Sequence, residues 1–506
     1  MRITKSFIVM VLAFTFLLSG CAKDYAPDLY DIAMEQISKQ TVTMSSSAED
    51  DDPDDYPDDY PDDYPDDYPD QMATDNNHQT IEGVLKLYIS SENRSLMQKL
   101  SRRFCKQYTG VDIQIETYDS ADAIDVSSPI VTRLLSDPPD IFDTSYMSNA
   151  KLDEKSLFID LNPFLDGDDG VNRADFFDNI FRACESSGNL YHVPLIFSYN
   201  IYSLSKQYMA EIGIDPGEVS VLDYAQLLEY WQRTSALHPG EEIFLYFDHN
   251  IFSVLFANWS SIMDIRGGVV QVDTPQFRNL LEIAINIPSQ YTITPEGAVA
   301  IYTTELVNQE LFVVTDKYIA FNTSGLFLSY ISFLSEVASM KYSPIILSAA
   351  MDGSIPFNPL LNLSVTRNCA DVDLAWEFIR YCLEYTVSTY RDDRDIQSKL
   401  YFPVNRNKFD NQLRQILGDS YDDCVNYQNI IPIENEQIAM AEKRQEIEDA
   451  LITYANFAAL CDTEVLNDTH AWQLIRDDVY LYYAGRQDAN STLRNIQNRL
   501  ELYINE

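Results

Sequence analysis

The stretch LKLYISSENRSLMQKLSRRFCKQYTGVDIQIE, residues 85–116, decides the fold because it reads as a strand, a helix and a second strand. Its apolar start predicts a strand over 84–89, and a turn of helix-capping residues follows. Leu96, Leu100 and Phe104 then recur every four residues between Lys and Arg side chains, which predicts an amphipathic helix. The alternation in VDIQI predicts the next strand.

The chain continues with the same alternation of elements. A helix that ends near Leu135 and a strand over 139–142 complete a β-α-β-α-β order, which favours an α/β fold with a parallel sheet and crossover helices. Residues 204–287 read as mostly helical. Further helices are predicted at 222–235, 251–258, 276–287, 325–337, 371–385, 435–461 and 490–504, and further strands at 311–314, 318–321 and 361–365.

Charge and motifs exclude several classes of function. The 506 residues carry a net charge of −44, which argues against nucleic acid, because phosphate contacts need clustered Lys and Arg. No HExxH, GxSxG, P-loop or GxGxxG motif occurs, and the five histidines show no metal spacing. We therefore predict no catalytic residue, no cofactor and no metal site. The six cysteines after Cys21 include no CxxC pair, and buried free thiols are the favoured interpretation.

The first residues form a secretory signal. Arg2 and Lys5 precede a short apolar segment, residues 7–18, which is too short to span a bilayer. The string Leu-Ser-Gly-Cys that ends at Cys21 resembles the bacterial lipoprotein signal, in which the chain is cleaved before a lipidated cysteine. The resemblance implies that residues 1–20 are a signal peptide and that Cys21 carries a lipid.

An acidic repeat follows within residues 21–80. The unit DDYP occurs four times between Glu49 and Asp70, and this stretch contains no basic residue. Proline at every fourth position prevents a helix, and the charges repel one another, so we expect an extended and solvated tether. Calcium binding by the Asp pairs is the alternative, but an extended repeat does not bring its oxygens together around one ion.

Six segments match one family in the right order. The opening stretch quoted above, DPPDIFDTSYM, SGNLYHVPLIFSYNIYSLSKQYMAEIGID, DLAWEFIRYCL, YFPVNRN and the terminal YAGRQDANSTLRNIQNRLELYINE resemble the extracellular solute-binding proteins of bacterial ABC importers, particularly the carbohydrate-binding group. Together these segments cover most of residues 83–506.

The resemblance implies a two-lobed periplasmic-binding-protein-like fold, in which each lobe is a sheet flanked by helices and crossover hinge strands join the lobes. The first lobe would comprise 83–195 plus 356–402, and the second 196–355 plus 403–506. The expected function is capture of a small polar solute, an oligosaccharide in the first place, for ABC permease subunits. The protein would be a monomer without catalytic activity, held by its lipid at the extracellular face of the cytoplasmic membrane.

Loops after particular strands supply the ligand contacts in that family. Carried over by position, the expected ligand-binding residues are Glu92, Asn93, Asp143, Ser145, Tyr146, Tyr199, Asn200, Thr323, Ser324 and Asn358. A carboxylate can accept hydrogen bonds from sugar hydroxyls, and a tyrosine ring can pack on a sugar face. Helix capping is the competing role for Glu92 and Asn93, and hinge packing is the competing role for Tyr199 and Asn200.

One departure weakens the carbohydrate assignment. Leu326 and Phe327 stand where the family usually has a tryptophan, so one broad stacking ring is missing. The four tryptophans lie in predicted helices, where core packing is expected, although Trp259 could face the ligand. Two other functions therefore remain open: a surface-anchored glycoside hydrolase or lyase, which needs two carboxylates across one cleft, and a ligand sensor for a membrane receptor.

Overall fold

The computed structural model describes part of the chain, and residues Gly83–Glu506 belong to one compact unit. The described residues are 81–120, 129–147, 152–153, 156–168, 170–241, 243–246, 254–255, 258–264, 268–286, 291–294, 297–300, 318–322, 342–349, 351–385, 402–412, 452–453, 455–465 and 469–505. The predictions for Cys21, the acidic tether, Thr323, Ser324, the strand at 311–314 and the helix at 325–337 lie outside them. Within these ranges, no helix is long and apolar enough to cross a membrane.

Strands and helices alternate along the described residues. The strands are β1 (Glu82–Ser90), β2 (Gly110–Tyr118), β3 (Ile141–Asp143), β4 (Val193–Ser198), β5 (Ile201–Ser205), β6 (Val221–Asp223), β7 (Phe244–Tyr246), β8 (Met263–Asp264), β9 (Val269–Val270), β10 (Tyr291–Thr294), β11 (Gly297–Ala300), β12 (Tyr318–Asn322), β13 (Tyr342–Ser348), β14 (Pro356–Val365), β15 (Phe402–Pro403) and β16 (Thr463–Glu464). The helices are α1 (Arg94–Gln107), α2 (Pro129–Ser136), α3 (Asn162–Gly167), α4 (Asp178–Cys184), α5 (Lys206–Glu211), α6 (Tyr224–Leu237), α7 (Trp259–Ile262), α8 (Pro275–Asn286), α9 (Val372–Tyr385), α10 (Thr469–Tyr483) and α11 (Ala489–Asn505).

The first large sheet has seven strands. Its order is β15-β4-β14-β3-β1-β2, and β16 pairs with the beginning of β14. Strand β1 is parallel to β3, whereas β14 runs antiparallel to both β3 and β4. The sheet is therefore mixed, and the expectation of a parallel sheet was wrong in this respect. The cause is the chain path, because β14 arrives from another sheet instead of through a crossover helix.

The second large sheet has five strands in the order β6-β13-β5-β12-β7. Strand β5 is antiparallel to its neighbours β12 and β13, and the outer pairs are parallel. The chain enters this sheet directly from β4 through Tyr199 and Asn200, and it returns to the first sheet between β13 and β14. The two sheets are thus connected by strands that pass from one into the other.

The predicted amphipathic helix packs its apolar face into the core beside the first sheet. α1 buries Leu100 and Phe104 as predicted, but Met97 is buried in place of Leu96, which is half-buried. The Phe104 ring meets the rings of Phe378 and Tyr381 on α9 edge to face, each with centroids 5.2 Å apart. Aromatic rings prefer this geometry, so α1 and α9 are held side by side.

Core packing is confirmed for three of the four tryptophans. Trp259 and Trp472 are 1% exposed and lie 6.0 Å apart between ring centroids, and Trp376 is also buried. The idea that Trp259 faces a ligand was wrong, because its ring is covered by that of Trp472. Among the described cysteines, Cys105, Cys184, Cys369, Cys382 and Cys461 are free thiols, as the sequence indicated.

Element boundaries match the sequence wherever a strong pattern exists. The predicted helices at 276–287, 371–385 and 490–504 correspond to α8, α9 and α11, each within two residues at both ends. The region from 204 to 287 is less helical than predicted, because it also contains β6 to β9. These strands have two or three residues each, which is too short for a period of two to emerge.

A polar contact joins α5 to the end of α6 in the second sheet's layer of helices. α6 begins with a capping box between Asp223 and Gln226 and ends before His238. The His238 Nε2 atom lies 2.6 Å from a carboxylate oxygen of Glu211 on α5, and its Nδ1 atom lies 3.4 Å from Glu241. The hydrogen bond to Glu211 raises the pKa of His238 above its usual value and lowers that of Glu211.

The stability contributed by this pair has a defined pH window. The Glu211 contribution is full above its unfolded-state pKa of about 4.3, and it is lost as pH falls through the lowered folded-state value. The His238 contribution is full below its unfolded-state pKa of about 6.5, and it is lost as pH rises through the raised folded-state value. We expect His238→Gln to flatten the decline in unfolding free energy above about pH 6.5, measured by urea titration at several pH values. Glu229→Gln, which removes a surface pair on the same helix, is the matched control; an unchanged decline in His238→Gln would contradict the assignment.

Candidate functional site

The carboxyl ends of three strands of the first sheet lie along one edge. Strands β3 and β4 run antiparallel to β14, and β1 runs parallel to β3. All three strands therefore point in the same direction. In the register, Asp143 at the end of β3 is opposite Leu363, and Ser198 at the end of β4 is opposite Asn358. In sheets of this kind, the edge at the carboxyl ends is where ligands bind.

Strands of the second sheet end near the same crossing. Asn322, the last residue of β12, is opposite Tyr202, and Ile346 of β13 is opposite Ile201. Both partners begin β5, directly after Asn200. The carboxyl ends of β12 and β13 therefore flank the point at which the chain enters the second sheet. Residues that follow Asn322, including the predicted Thr323 and Ser324, lie outside the described residues.

A buried carboxylate organises the edge of the first sheet. Asp143 is 0% exposed. One of its oxygens accepts hydrogen bonds from the Ser90 backbone N–H at 3.1 Å, the Ser90 hydroxyl at 2.8 Å and the Asn93 amide at 2.9 Å. The other accepts from the backbone N–H of Ser145 at 3.0 Å and from its hydroxyl. We call Ser90, Asn93, Asp143 and Ser145 the Asp143 cluster.

The Asp143 cluster also binds the backbone of β14. The Asn93 amide donates a second hydrogen bond to the carbonyl of Leu360 at 3.2 Å, and the Ser145 hydroxyl accepts one from the N–H of Asn362 at 2.8 Å. The register of β14 shifts on both sides of Leu361. A register shift leaves backbone groups outside the ladder, and the side chains of the cluster supply their partners.

The structure thus brings Asn93, Asp143 and Ser145 together, as the sequence predicted, but it shows them bonded to one another and to the sheet. Their polar atoms hold the strand ends in place, and the Asp143 carboxylate is covered on both oxygens. Ser90 completes the cluster and was missed. Its signal in the sequence was weak, because a serine after a strand and before a helix is usually a cap.

Glu92 and Tyr146 lie at the surface of the same edge. Glu92 is exposed and accepts a hydrogen bond from the hydroxyl of Ser120, while Tyr146 is half-buried against the aromatic core that contains Tyr118. Burial raises the pKa of Tyr118 well above its usual value, and the charges of Asp143, Tyr146 and Glu92 add to the shift. The Tyr118 hydroxyl itself donates to the Asp143 carbonyl at 2.6 Å.

The crossing between the sheets contains the remaining predicted residues. Tyr199 is 1% exposed, and its ring stacks on that of Phe402 with centroids 5.2 Å apart. This packing corresponds to the hinge role that was considered for Tyr199. Asn200 is exposed, and Asn358 is half-buried opposite Ser198, next to the crossing. Asn200 and Asn358 are consequently accessible where Tyr199 is not.

Metal chemistry finds no support in the part of the chain that the structure describes. No group of three or more His, Cys, Asp or Glu side chains there is arranged to hold a metal ion. The accessible candidates, Glu92, Tyr146, Asn200 and Asn358, offer one carboxylate, one phenol and two amides. Such a set suits hydrogen bonds to hydroxyl groups together with contact to an apolar ring face.

Comparisons with known proteins identify the fold. No protein-family model matches the sequence, and no curated protein matches it. Among solved structures, the sugar-binding protein MalE from Xanthomonas citri is similar over 84% of this chain and 98% of its own, with 12% identity and a TM-score of 0.54. A periplasmic-binding protein from Synechococcus gives 83% and 99% coverage, 12% identity and a TM-score of 0.53.

UspC from M. tuberculosis is also similar, over 83% of this chain and 100% of its own, with 11% identity and a TM-score of 0.50. At such identities the likeness shows the fold alone. The chain has a mixed α/β fold of the periplasmic-binding-protein type, with sheets flanked by helices, which confirms the predicted fold class.

The hydrogen bonds of the Asp143 cluster predict how two substitutions change the unfolding free energy. Asp143→Asn replaces one acceptor oxygen by an amide that cannot accept, so several buried donors lose their partner, and we expect a loss of about 3 kcal/mol in unfolding free energy. Ser90→Ala removes one donor and leaves the carboxylate with its others, so its cost is about 1 kcal/mol. Urea titration of both variants tests the difference, and equal effects would contradict the central role of the carboxylate.

Proposed function

We propose that this protein is an extracellular solute-binding protein that captures a small polar ligand, an oligosaccharide in the first place, for an ABC importer. One observation carries the proposal: strand ends of both sheets meet at the Tyr199–Asn200 crossing, where accessible polar side chains are available. The fold is that of a sugar-binding protein over most of the chain, which supports the choice of ligand class.

In this proposal each large sheet belongs to one lobe, and the ligand lies between the lobes. The boundaries expected from the sequence separate 83–195 plus 356–402 from 196–355 plus 403–506. We extend the first lobe beyond residue 402, because Asn405 bridges to Phe176 and the Phe409 ring contacts that of Phe177 at 5.2 Å between centroids. Closure of the lobes around the ligand would be a hinge motion at the crossings.

The accessible residues would make different kinds of contact with the ligand. Glu92 and Asn200 would form hydrogen bonds to sugar hydroxyls, since a carboxylate accepts and an amide both donates and accepts. Tyr146 would supply an aromatic face for the C–H side of a sugar ring, in place of the missing tryptophan. Asn358 would contact the ligand from β14. The proposal assigns the Asp143 cluster no direct ligand contact, because its polar atoms are engaged with the sheet.

Binding can be measured without knowledge of the natural ligand. We expect titration calorimetry with maltotriose, cellotriose and xylotriose to give saturable binding of at least one. Tyr146→Ala should weaken that affinity about fivefold, because one aromatic contact is worth about 1 kcal/mol. Tyr230→Ala, another half-buried tyrosine on α6, should leave it unchanged.

Two results would overturn the proposal. Absence of binding to the three sugars and to a wider set of oligosaccharides would exclude the ligand class. Turnover of an oligosaccharide by the purified protein would instead support the hydrolase or lyase alternative.

A lipid on Cys21 would hold the binding lobes at the membrane, and the DDYP tether would let them reorient. Stable anchoring takes two acyl signals, so a multiply acylated Cys21 suits the role. We expect Cys21→Ser to move the protein from the membrane pellet to the soluble fraction while sugar affinity is retained. Cys105→Ser is the matched control and should remain in the pellet; a Cys21→Ser protein that stays there would contradict lipid anchoring.

A further inference from the structure

A buried histidine joins three separate segments beside the candidate site. His192, just before β4, is 1% exposed. Its Nδ1 atom lies 2.8 Å from the hydroxyl of Ser364 and 3.2 Å from that of Thr144, and its Nε2 atom lies 2.6 Å from a carboxylate oxygen of Asp153. The ring of Phe158 meets the imidazole edge to face at 5.4 Å between centroids. The imidazole is therefore fixed on both nitrogens and on one face.

The partners determine which nitrogen carries the proton. The Asp153 carboxylate can only accept, so Nε2 donates to it. In the neutral imidazole, Nδ1 is then an acceptor for the hydroxyls of Ser364 and Thr144, which both lie within hydrogen-bond distance of it. The contact with Asp153 therefore places a proton on Nε2.

The order hydroxyl, imidazole, carboxylate resembles a nucleophile relay, but access excludes that role. Ser364 lies within β14 and is 0% exposed, and the side chain of Asp153 is only 5% exposed. A nucleophile must reach the reacting atom of a substrate, which a fully buried hydroxyl cannot do. The polar side chains here have a structural task.

That task concerns the turn after β3. Thr144 directly follows Asp143, and its backbone N–H donates to the carbonyl of Asn362 at 3.0 Å. Thr144 and Asp153 lie on either side of Tyr146 in the sequence, and His192 binds both. The turn that carries Tyr146 is thus connected through the His192 imidazole to the segment that contains Asp153.

We infer that His192 is a positioning residue of the ligand site, which holds Tyr146 in place through Thr144 and Asp153. This inference rests on the proposed function, because it assigns Tyr146 to the ligand. His192 itself touches no ligand. Preorganisation of this kind raises affinity, since a site that is fixed beforehand loses less freedom on binding.

A matched pair of variants separates positioning from general stability. Thr144→Val and Ser364→Ala each remove one hydroxyl that binds the same nitrogen of His192, but only Thr144 belongs to the turn that leads to Tyr146. We expect Thr144→Val to weaken sugar affinity about tenfold, as loss of one buried hydrogen bond allows. Ser364→Ala should change affinity less than twofold, and Thr144→Ser, which keeps the hydroxyl, should restore it.

Hydrogen exchange gives a readout that needs no ligand. The Met147 N–H donates to the Thr144 carbonyl at 3.1 Å, so its exchange reports on the turn. We expect exchange at Met147 to be about tenfold faster in Thr144→Val than in Ser364→Ala, measured by NMR on the full chain. Equal exchange and equal affinity in the two variants would overturn the inference.

The tautomer of the unaltered protein is a second, independent test. Nitrogen-15 spectra of histidine-labelled protein should show a proton on the Nε2 atom of His192, where it is bonded to Asp153. A bare Nε2 would overturn the inference, because the imidazole could then no longer donate to the Asp153 carboxylate. If neither the three trisaccharides nor a wider set of oligosaccharides binds, the proposed function fails, while the exchange and tautomer data still decide whether His192 fixes the turn.

Discussion

The burial of the Asp143 carboxylate is the constraint on which the candidate site depends. A carboxylate that is removed from water must be surrounded by donors, because an isolated buried charge is very costly. Here the donors come from the end of β1, from the turn before α1 and from Ser145. Because the donors lie on three segments, their hydrogen bonds to the Asp143 carboxylate fix the positions of these segments at the edge of the sheet.

The two bulged strands at this edge show how the irregular backbone is accommodated. The register between β4 and β14 shifts near Leu360 and near Leu195. The carbonyl of Leu360 accepts from the Asn93 amide, and that of Leu195 accepts from the N–H of Val404. Backbone groups that a shift removes from the ladder thus find partners in a side chain or in the strand returning at residue 402. The carbonyls of Leu360 and Leu195 are thus both paired where the register shifts.

Sequence patterns predicted the helices and strands that are long enough to show a hydrophobic period. The spacing of Leu96, Leu100 and Phe104 identified α1 as an amphipathic helix, although its buried face uses Met97 with Leu100 and Phe104. The antiparallel direction of β14 could not be predicted, since it depends on which sheet the chain has just left. Likewise, short strands such as β6 are specified by pairing with β13, which lies more than a hundred residues away.

The structure places several of the predicted residues at one edge and shows that some of them face inward, and the reason is general. Residues after the ends of parallel strands gather at one edge, so the positions of Asn93, Asp143 and Tyr146 follow from the strand order alone. Which of them face inward is decided by partners far away in sequence, such as Leu360 for Asn93.

Glu92 and Asn93 illustrate the difference between position and orientation. They are consecutive and both polar, yet Glu92 is exposed, while the Asn93 amide is bound to Asp143 and to β14. A binding edge needs both kinds of residue, because the inward ones hold the strand ends and the outward ones can then meet a ligand at fixed positions.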